Sequence, residues 1–467
     1  MTRRTALTGA AAASAALALA ACTSDQSTPE TTSGVTTLTI MTNAISGGKN
    51  AAEADWIANW VIPEFTAAQE EAGRQVEVVF EAQGVDDEDY KTKAALDFQS
   101  GKGADVVGLD GIWIGEFAQA GYIKPLQEVA GDAVDSWDGW EQISEAVQQA
   151  ASFESQRYGV PQGADGRVIY YNRDIFAQAG LPTDWQPTSW EEILQTARTL
   201  KQQVDGVVPL QLNAGTAMGE ATTMQGFLPM LVGTGQTIWS DGLWAADTAG
   251  MRDVLDLYRT IYVDEELGDP ILQQEASGRD TSFQEFAAGR IAILFEGDYF
   301  WRSVINPDEE VGTAPMADRD TVVGYAKIPA MKPGAGVNGQ DFVSMSGGTA
   351  RVLNPNSANP ALAWELLAFM NSPEAFAARA AGTLSISPRE DVNAELLASD
   401  AMLSFVSEEV LPITSYRPGL AEYPEVSVLL QQATLDVVTG TSVDDAVAAY
   451  VTALEGVVGH DAISDGD

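Results

Sequence analysis

Short apolar segments alternate with amphipathic ones along the first third of the chain. Residues 36–43 (TTLTIMTN) and 74–83 (RQVEVVFEAQ) are rich in apolar and β-branched residues, so both are predicted strands. Between them, apolar positions over 53–70 recur at helical spacing, and Pro63 predicts a kink or break there. A second helix over 89–99 precedes the buried-strand pattern ADVVGL. This alternation predicts right-handed crossover units in an open α/β sheet.

Two polar residues directly follow predicted strands. Asn43 ends the first strand, and Asp110 follows ADVVGL. Ligands of open α/β sheets bind beyond the carboxyl ends of the strands, so both residues are candidate ligand contacts. A turn residue at Asn43 and a helix cap at Asp110 are the structural alternatives.

The rest of the chain continues the same alternation. RVIYYN and RIAILF are predicted strands, and Asn172 is a predicted helix N-cap. The patterns S-W-E-E from Ser189 and T-S-F-Q from Thr281 fit the capping box, which predicts helix starts. Further helices are predicted from Pro360 and over 442–457.

Composition excludes several function classes. The 25 basic and 67 acidic residues give a formal net charge of -42, which argues against electrostatic binding of nucleic acid or anionic lipid. Apart from Cys22 the chain has no cysteine, and its single histidine, His460, lies near the C-terminus. The chain after Cys22 therefore cannot contain a disulfide, a Cys/His zinc site or a cysteine nucleophile. We expect no metal or cofactor.

The N-terminal segment has the pattern of an export signal. Arg3 and Arg4 precede a small apolar run, and Leu-Ala-Ala-Cys ending at Cys22 resembles the lipobox of bacterial lipoproteins. An ordinary cleavage site is the alternative. The arginine pair predicts twin-arginine export, with the general secretory route as the other possibility. Residues 1–22 are thus a predicted signal. Residues 23–35, rich in Ser and Thr, are a predicted flexible tether that holds the protein at the outer face of the cytoplasmic membrane.

Several longer segments carry a family resemblance. They are GADVVGLDGIWIGEFAQAGYIKPL, IYYNRDIFAQAGL, PTSWEEILQTARTL, FQEFAAGRIAILFEGDYFW and NPALAWELLAFMNSPEAF. In this order they resemble the extracellular solute-binding proteins of bacterial ABC importers, within the carbohydrate group (family 1) that includes maltose- and trehalose-binding proteins.

This resemblance implies an α/β, two-lobed, periplasmic-binding-protein-like fold of type II with hinge strands and a ligand cleft. The lobes would be discontinuous: 36–157 with 350–383, and 158–349 with 384–467. Hinge closure would capture a sugar, an oligosaccharide in our interpretation, and deliver it to permease subunits with a cytoplasmic ATPase. The implied receptor is a monomer, not an enzyme, and binds no nucleic acid.

The resemblance also implies ligand-binding residues. Asp110 and Trp113 follow the third strand, Asp165 precedes RVIYYN, and Glu220 matches a family carboxylate position. Carboxylates bind sugar hydroxyls, and aromatic rings pack on sugar C–H faces. Helix packing for Trp113, a turn for Asp165 and a capping or solvated acid for Glu220 are the alternatives.

Four more candidates come from the same resemblance. Tyr299 falls where relatives carry a sugar-stacking tryptophan, and Trp301 is its neighbour. Gly348 belongs to Gly-Gly-Thr, where many relatives have Gly-Gly-Trp, so that stacking surface is missing. Arg389 matches a family arginine that binds ligand hydroxyls or pairs with an acid.

Other functions remain open from the residues alone. A glycerol phosphodiester, a polyol or another non-sugar solute fits the same fold, although a phosphate favours arginine in the cleft. A secreted glycoside hydrolase would use two carboxylates, but with 67 acidic residues such pairs carry no information. A scaffold or adhesion role is the third alternative.

Overall fold

The computed structural model describes residues 34–48, 50–381 and 384–464. The predicted signal with Cys22, and the tether up to residue 33, lie outside the described residues.

Five strands form the first sheet. Their order across the sheet is Val76–Ala82, Thr36–Thr42, Val106–Asp110, Thr349–Leu353, Gly159–Pro161. The three strands from the first part of the chain are parallel, as the strand–helix–strand pattern predicts. Thr349–Leu353 then runs antiparallel to both of its neighbours. We call this sheet and the helices packed on it the first lobe.

Four strands form the second sheet, in the order Val323–Ala326, Arg167–Asn172, Ile291–Gly297, Val208–Gln211. Arg167–Asn172 is antiparallel to both neighbours, and Ile291–Gly297 is parallel to Val208–Gln211. Next to it lies a small sheet of Ile328–Pro329, Phe342–Ser346 and Thr414–Tyr416. These two sheets and their helices are the second lobe.

Helices cover the sheets. The α-helices of six or more residues in the described part of the chain are Ala51–Trp56, Ile62–Glu71, Asp87–Gln99, Ile114–Gln119, Arg173–Gln178, Trp190–Gln203, Leu228–Gly233, Ala249–Arg259, Gly278–Ala287, Pro360–Phe369, Pro373–Ala380, Glu390–Leu396, Tyr423–Val438 and Val443–Val458. None of the helices in the described residues has the length and apolarity to cross a membrane.

Most of the predicted helix starts match the structure. The Ser189 hydroxyl accepts from the Glu192 amide at 3.3 Å and begins Trp190–Gln203. Pro63 follows a π-helical turn, Ile57–Val61, which is how the helix accommodates a residue without an N–H. The predicted start at Thr281 is wrong, because the helix begins at Gly278 and the Thr281 hydroxyl bonds inside it to the Ser277 carbonyl.

The chain passes from the first sheet to the four-stranded sheet at 162–166, and it returns from the small sheet of the second lobe to the first sheet at 347–348. A third segment, 417–420, leaves the second lobe and packs on the first. There a methyl group at Gly115 would collide with the Gly419 carbonyl oxygen. We call the region around these three segments the junction.

The predicted lobe boundaries stay a prediction. Gly159–Pro161 is hydrogen-bonded within the first sheet, just beyond the predicted change of lobe at 157/158. Strand Thr349–Leu353 returns to that sheet next to the predicted change at 349/350.

Candidate functional site

Asp165 ties the two crossing segments of the junction together. One oxygen, Oδ1, accepts from the Gly347 amide at 2.7 Å and the Ser346 hydroxyl at 3.2 Å. The Arg167 guanidinium lies 2.8 Å from the same atom. Burial opposes the charge of Asp165, but Arg167 and these two donors outweigh it and lower the pKa of the carboxyl. The charged form therefore stabilises the crossing.

Gly348 is required by the close approach of the two crossings. Its φ is +142°, and a Cβ would lie 2.9 Å from the Gly163 carbonyl oxygen. Its own carbonyl accepts from the Gly111 amide at 2.9 Å, directly beside Asp110. Gly348 thus brings backbone, rather than a side chain, to the junction.

Arg417 bridges the two lobes. Its Nη1 donates to Glu220 Oε1 at 2.8 Å, and its Nη2 lies 4.0 Å from Asp110 Oδ1. Glu220 also accepts from the Tyr423 hydroxyl at 2.7 Å and from Ser427. Burial raises the pKa of Asp110, and Arg417 opposes that effect. A single cation thus joins a first-lobe carboxylate to a second-lobe network.

On the first lobe, the predicted residues surround a cavity of about 80 Å³ at the carboxyl end of the sheet, lined by Asn43, Asp110 and Trp113 among others. The Asn43 amide donates to the Val85 carbonyl and to Asp87, both at 3.0 Å. Asp110 also caps a short helical turn, accepting from the Ile112 amide at 3.1 Å. Trp113 is buried and lies 6.3 Å from Tyr90, ring to ring. The structure therefore brings these three together.

On the second lobe, Tyr299 presents an open aromatic side chain. It is 44% exposed, and the Arg302 guanidinium lies 5.7 Å from the ring centre. The preceding residue, Asp298, donates its amide to the Gly166 carbonyl at 3.1 Å, which places Tyr299 next to the crossing at 162–166.

Asp298 itself is a buried acid of the second lobe. Its Oδ2 accepts from Arg302 at 3.1 Å, whereas Oδ1 is buried without a hydrogen-bond partner among the described residues. Burial, against the attraction of Arg302 and with repulsion from Asp165, raises the pKa of Asp298 to about 6.

A larger cavity of about 1040 Å³ lies beside the junction, between residues of the first lobe in 125–157 and the second-lobe residues Trp239 and 416–420. Arg417 borders it, but the nine residues predicted to bind ligand do not line it. Of the predicted residues, Asn43, Asp110, Trp113, Asp165 and Gly348 therefore lie at the first-sheet edge and the crossings rather than in this larger cavity.

The chain matches the family model of bacterial extracellular solute-binding proteins over residues 48–375. The chain belongs to this family. A putative binding protein of Brucella abortus (strain 2308) is 24% identical over 358 residues, 76% of this chain and 79% of that protein. The family match confirms the predicted class of solute-binding proteins. The relative from Brucella is likewise described as a binding protein.

Solved structures confirm the two-lobed fold class. The cyclic alpha-maltosyl-1,6-maltose binding protein from Arthrobacter globiformis superposes with a TM-score of 0.71 at 20% identity, covering 91% of this chain and 100% of that one. The sugar-binding protein MalE from Xanthomonas citri superposes with a TM-score of 0.72 at 19% identity, covering 90% of this chain and 97% of that one.

Two predicted residues of this solute-binding protein lie away from the junction. Trp301 is buried inside the second lobe, where its indole N–H donates to both Asp400 oxygens at 3.1 Å. The Arg319 guanidinium covers its ring at 3.9 Å. Trp301 therefore packs the interior, which corrects its predicted place in the cleft.

Arg389 is the second correction. It is buried, and its Nη2 and Nε donate to the two oxygens of Asp391 at 2.7 and 3.0 Å. Its Nη1 reaches the Asn371 carbonyl at 3.3 Å. Arg389 was predicted either to bind ligand hydroxyls or to pair with an acid, and in the structure it pairs with Asp391.

Sequence reasoning missed Arg417, Ser346 and the first-lobe Arg351. The available signal for Arg417 was its place in SYRPGL, an arginine between a short strand and a Pro-Gly turn. No local signal marks Arg351, because its surroundings come from residues more than 180 positions away along the chain, such as Gly108 and Val160.

Proposed function

We propose that this protein is the solute receptor of an ABC importer and that it binds a sugar, an oligosaccharide, at the junction. It passes this ligand to transmembrane permease subunits that a cytoplasmic ATPase drives. The names of the two structural relatives, one for a maltosyl-maltose and one for sugar, support this ligand class.

The observation that carries the proposal is the bridge from Asp110 through Arg417 to Glu220. The exposed ring of Tyr299 follows Asp298, whose amide is bonded to the crossing at Gly166. Sugar hydroxyls need charged or amide partners, and sugar C–H faces pack on aromatic rings. Both kinds of surface belong to residues that meet at or beside the junction.

Hinge closure follows from how the lobes are joined. Lobes formed by 36–157 with 350–383 and by 158–349 with 384–467 are linked by short crossings, one of which contains Gly347 and Gly348. A few residues that absorb large φ/ψ changes are sufficient for such a hinge. Closure would bring Tyr299 toward Asp110 and Trp113 and enclose the ligand, without any catalytic step.

The location also belongs to this proposal. Cys22 is lipidated after export by the twin-arginine or general secretory route, and the tether holds a monomeric receptor at the outer face of the cytoplasmic membrane. Cys22→Ser is expected to release the protein from the membrane fraction, and retention of this variant there would contradict the anchor.

Thermal unfolding against a panel of mono- and oligosaccharides, polyols and glycerol phosphodiesters tests the ligand class. A ligand at about 100 times its dissociation constant stabilises the native state by roughly 2.7 kcal/mol. We expect a sugar to raise the midpoint without being hydrolysed. Stabilisation by a phosphodiester alone would change the ligand class, and hydrolysis of the sugar would contradict a receptor.

A further inference from the structure

Asp298, Tyr299 and Arg302 form a small cluster on one turn of the second lobe. Strand Ile291–Gly297 ends directly before Asp298, and the π-helical turn Phe300–Val304 follows Tyr299. Arg302 lies four residues after Asp298 and three after Tyr299, a spacing that brings side chains together on a helical turn. We call these three residues the Tyr299 cluster.

The Arg302 guanidinium contacts both other members of the cluster. Its Nε donates to Asp298 Oδ2 at 3.1 Å, and its Cζ lies 5.7 Å from the centre of the Tyr299 ring. Among the described residues, Asp298 is the only acceptor bonded to this guanidinium. Asp298 therefore fixes the position of Arg302, and Arg302 is the cation beside the ring.

The Tyr299 ring is exposed, so few neighbours restrict its side-chain rotamers. A ligand that packs on a freely rotating ring loses affinity, because binding must order the side chain. A guanidinium over one face of an aromatic ring is attracted to its π-electrons. Arg302 can thus restrict the ring before a ligand arrives, while the other face stays open to a sugar.

The ionised form of Asp298 opposes folding. The residue is buried, and its Oδ1 has no hydrogen-bond partner among the described residues. Burial, with repulsion from Asp165, raises the pKa of Asp298 to about 6. A buried acid with a raised pKa, bonded through its amide to the crossing at Gly166, is a candidate for a role in binding.

Other charged groups surround Asp298 without being held by it. The titratable and charged groups near it are Arg302 on its own turn, Asp165 on the crossing, Arg167 and Tyr170 on strand Arg167–Asn172, and Glu296, paired with Arg279, two positions before it. Arg167 lies 2.8 Å from Asp165 and is paired there. Burial raises the pKa of the Tyr170 hydroxyl, which stays neutral. Arg302 is therefore the cation whose position depends on the charge of Asp298.

We infer that Asp298 and Arg302 are positioning residues for ligand binding: ionised Asp298 holds the Arg302 guanidinium over one face of the Tyr299 ring, and the other face is thereby oriented for a sugar. This inference rests on the proposed function, since it explains how the second lobe presents its aromatic surface. Protonation of Asp298 weakens its hydrogen bond to Arg302 and frees the ring, so affinity falls in acid.

The pH dependence of binding tests the role of Asp298. Isothermal titration with maltose, trehalose and D-mannitol at about pH 7.5 identifies the probe that binds the wild type most tightly. Asp298→Asn is expected to bind this probe at least about threefold more weakly. The difference should disappear as pH falls through about 6 to 5, because wild-type Asp298 is then neutral as well.

A wild-type to variant affinity ratio that does not change with pH would overturn the inference and leave the receptor standing. If none of the three probes binds the wild type, the proposed function and the inference both fail.

Folding stability separates positioning from a structural role. In urea at pH 7, Asp298→Asn is expected to be at least as stable as the wild type although it binds more weakly, because a buried charge has been removed. The control, Arg389→Met, breaks the buried pair with Asp391 and should lose stability while its affinity changes less than about twofold. Loss of stability together with affinity in Asp298→Asn would indicate a structural residue instead.

A double-mutant cycle tests whether Asp298 acts through Arg302. Arg302→Met is expected to weaken binding of the same probe at least about threefold, and Arg302→Lys, which keeps the cation, by less. Adding Asp298→Asn to Arg302→Met should change affinity less than about 1.5-fold, since the group to be positioned is already gone. Losses that multiply in the double variant would contradict a shared role.

The Arg302 Nε–H resonance provides a readout that needs no ligand. In ¹⁵N–¹H spectra, assigned with Arg302→Lys, its shift is expected to titrate with a midpoint near pH 6 in the wild type and to stay constant in Asp298→Asn. A wild-type resonance that does not titrate would overturn the inference even where a sugar binds.

Discussion

On the first-lobe side of the junction the recognition groups lie deep. Arg351 is 0% exposed and Trp113 is 6% exposed, and both are among the residues around the cavity of about 80 Å³ at the carboxyl end of the first sheet. On the second-lobe side, Tyr299 is 44% exposed, and Glu220 faces the junction through Arg417. The first lobe therefore offers a preformed polar cavity, and the second offers a surface that becomes enclosed only when the lobes close.

This difference predicts where substitutions alter stability and where they alter binding. Buried groups inside a lobe contribute to folding stability, and an exposed ring contributes to ligand affinity alone. Groups that link the lobes contribute to both stability and affinity. Each of the following changes tests one part of that division.

The largest effect is expected for Trp301→Ala. Removing a buried aromatic leaves a cavity and costs about 3–5 kcal/mol, and the Asp400 hydrogen bonds are lost as well. Urea unfolding measures this cost. Tyr299→Ala, two residues away, is the control, with an expected loss under about 1 kcal/mol. Similar losses for both would mean that Tyr299 is also part of the core.

A pH-dependent effect follows from Asp298. Its native pKa of about 6 lies above its ordinary value of 3.8, so the folded protein binds this proton more tightly than the unfolded chain. The resulting stability is fully present below pH 3.8 and is lost as pH rises through about 6. Unfolding free energies of Asp298→Asn and wild type should therefore diverge by up to about 3 kcal/mol between pH 4 and pH 7, in favour of the variant as pH rises. Parallel profiles would contradict the raised pKa.

Arg417→Met removes the cation that joins Asp110 to Glu220. Breaking a buried pair by losing one partner costs about 3–5 kcal/mol, and the partial exposure of Glu220 reduces the expectation to about 2 kcal/mol. Adding Glu220→Gln should recover part of this loss, because the carboxylate is then no longer unpaired. Urea unfolding of the three proteins measures both steps, and a larger loss in the double variant would contradict the pairing.

Tyr299→Ala is expected to have the smallest effect on folding and a clear one on binding. Losing a ring that packs on a sugar face should weaken affinity by roughly tenfold, about 1.4 kcal/mol. Titration with the sugar that stabilises the wild type measures this change. Unchanged affinity in the folded variant would remove Tyr299 from the site.

Local signals predicted part of the fold. Apolar periodicity located five of the nine strands of the two main sheets, and the capping pattern at Ser189 located a helix start, because such signals depend on neighbouring residues. The same pattern misplaced the start near Thr281, where the helix begins three residues earlier, at Gly278.

The site was less predictable because its side chains depend on distant partners. Trp301 is hydrogen-bonded to Asp400, 99 residues away along the chain. Its position two residues after Tyr299 therefore did not indicate that it is buried. Arg417 meets Glu220 from 197 residues away. The family resemblance indicated the junction residues Asp110, Asp165, Glu220 and Gly348, but could not indicate which of its aromatic and basic positions face inward.

The central claim is that the two lobes close on a sugar at the junction. The most direct test is the distance between spin labels, one on each lobe, at the exposed positions Leu96 and Ile271, introduced as Leu96→Cys and Ile271→Cys in a Cys22→Ser background. We predict a different and narrower distance distribution when the stabilising sugar is present at saturation. The same distribution with and without bound sugar would contradict the account.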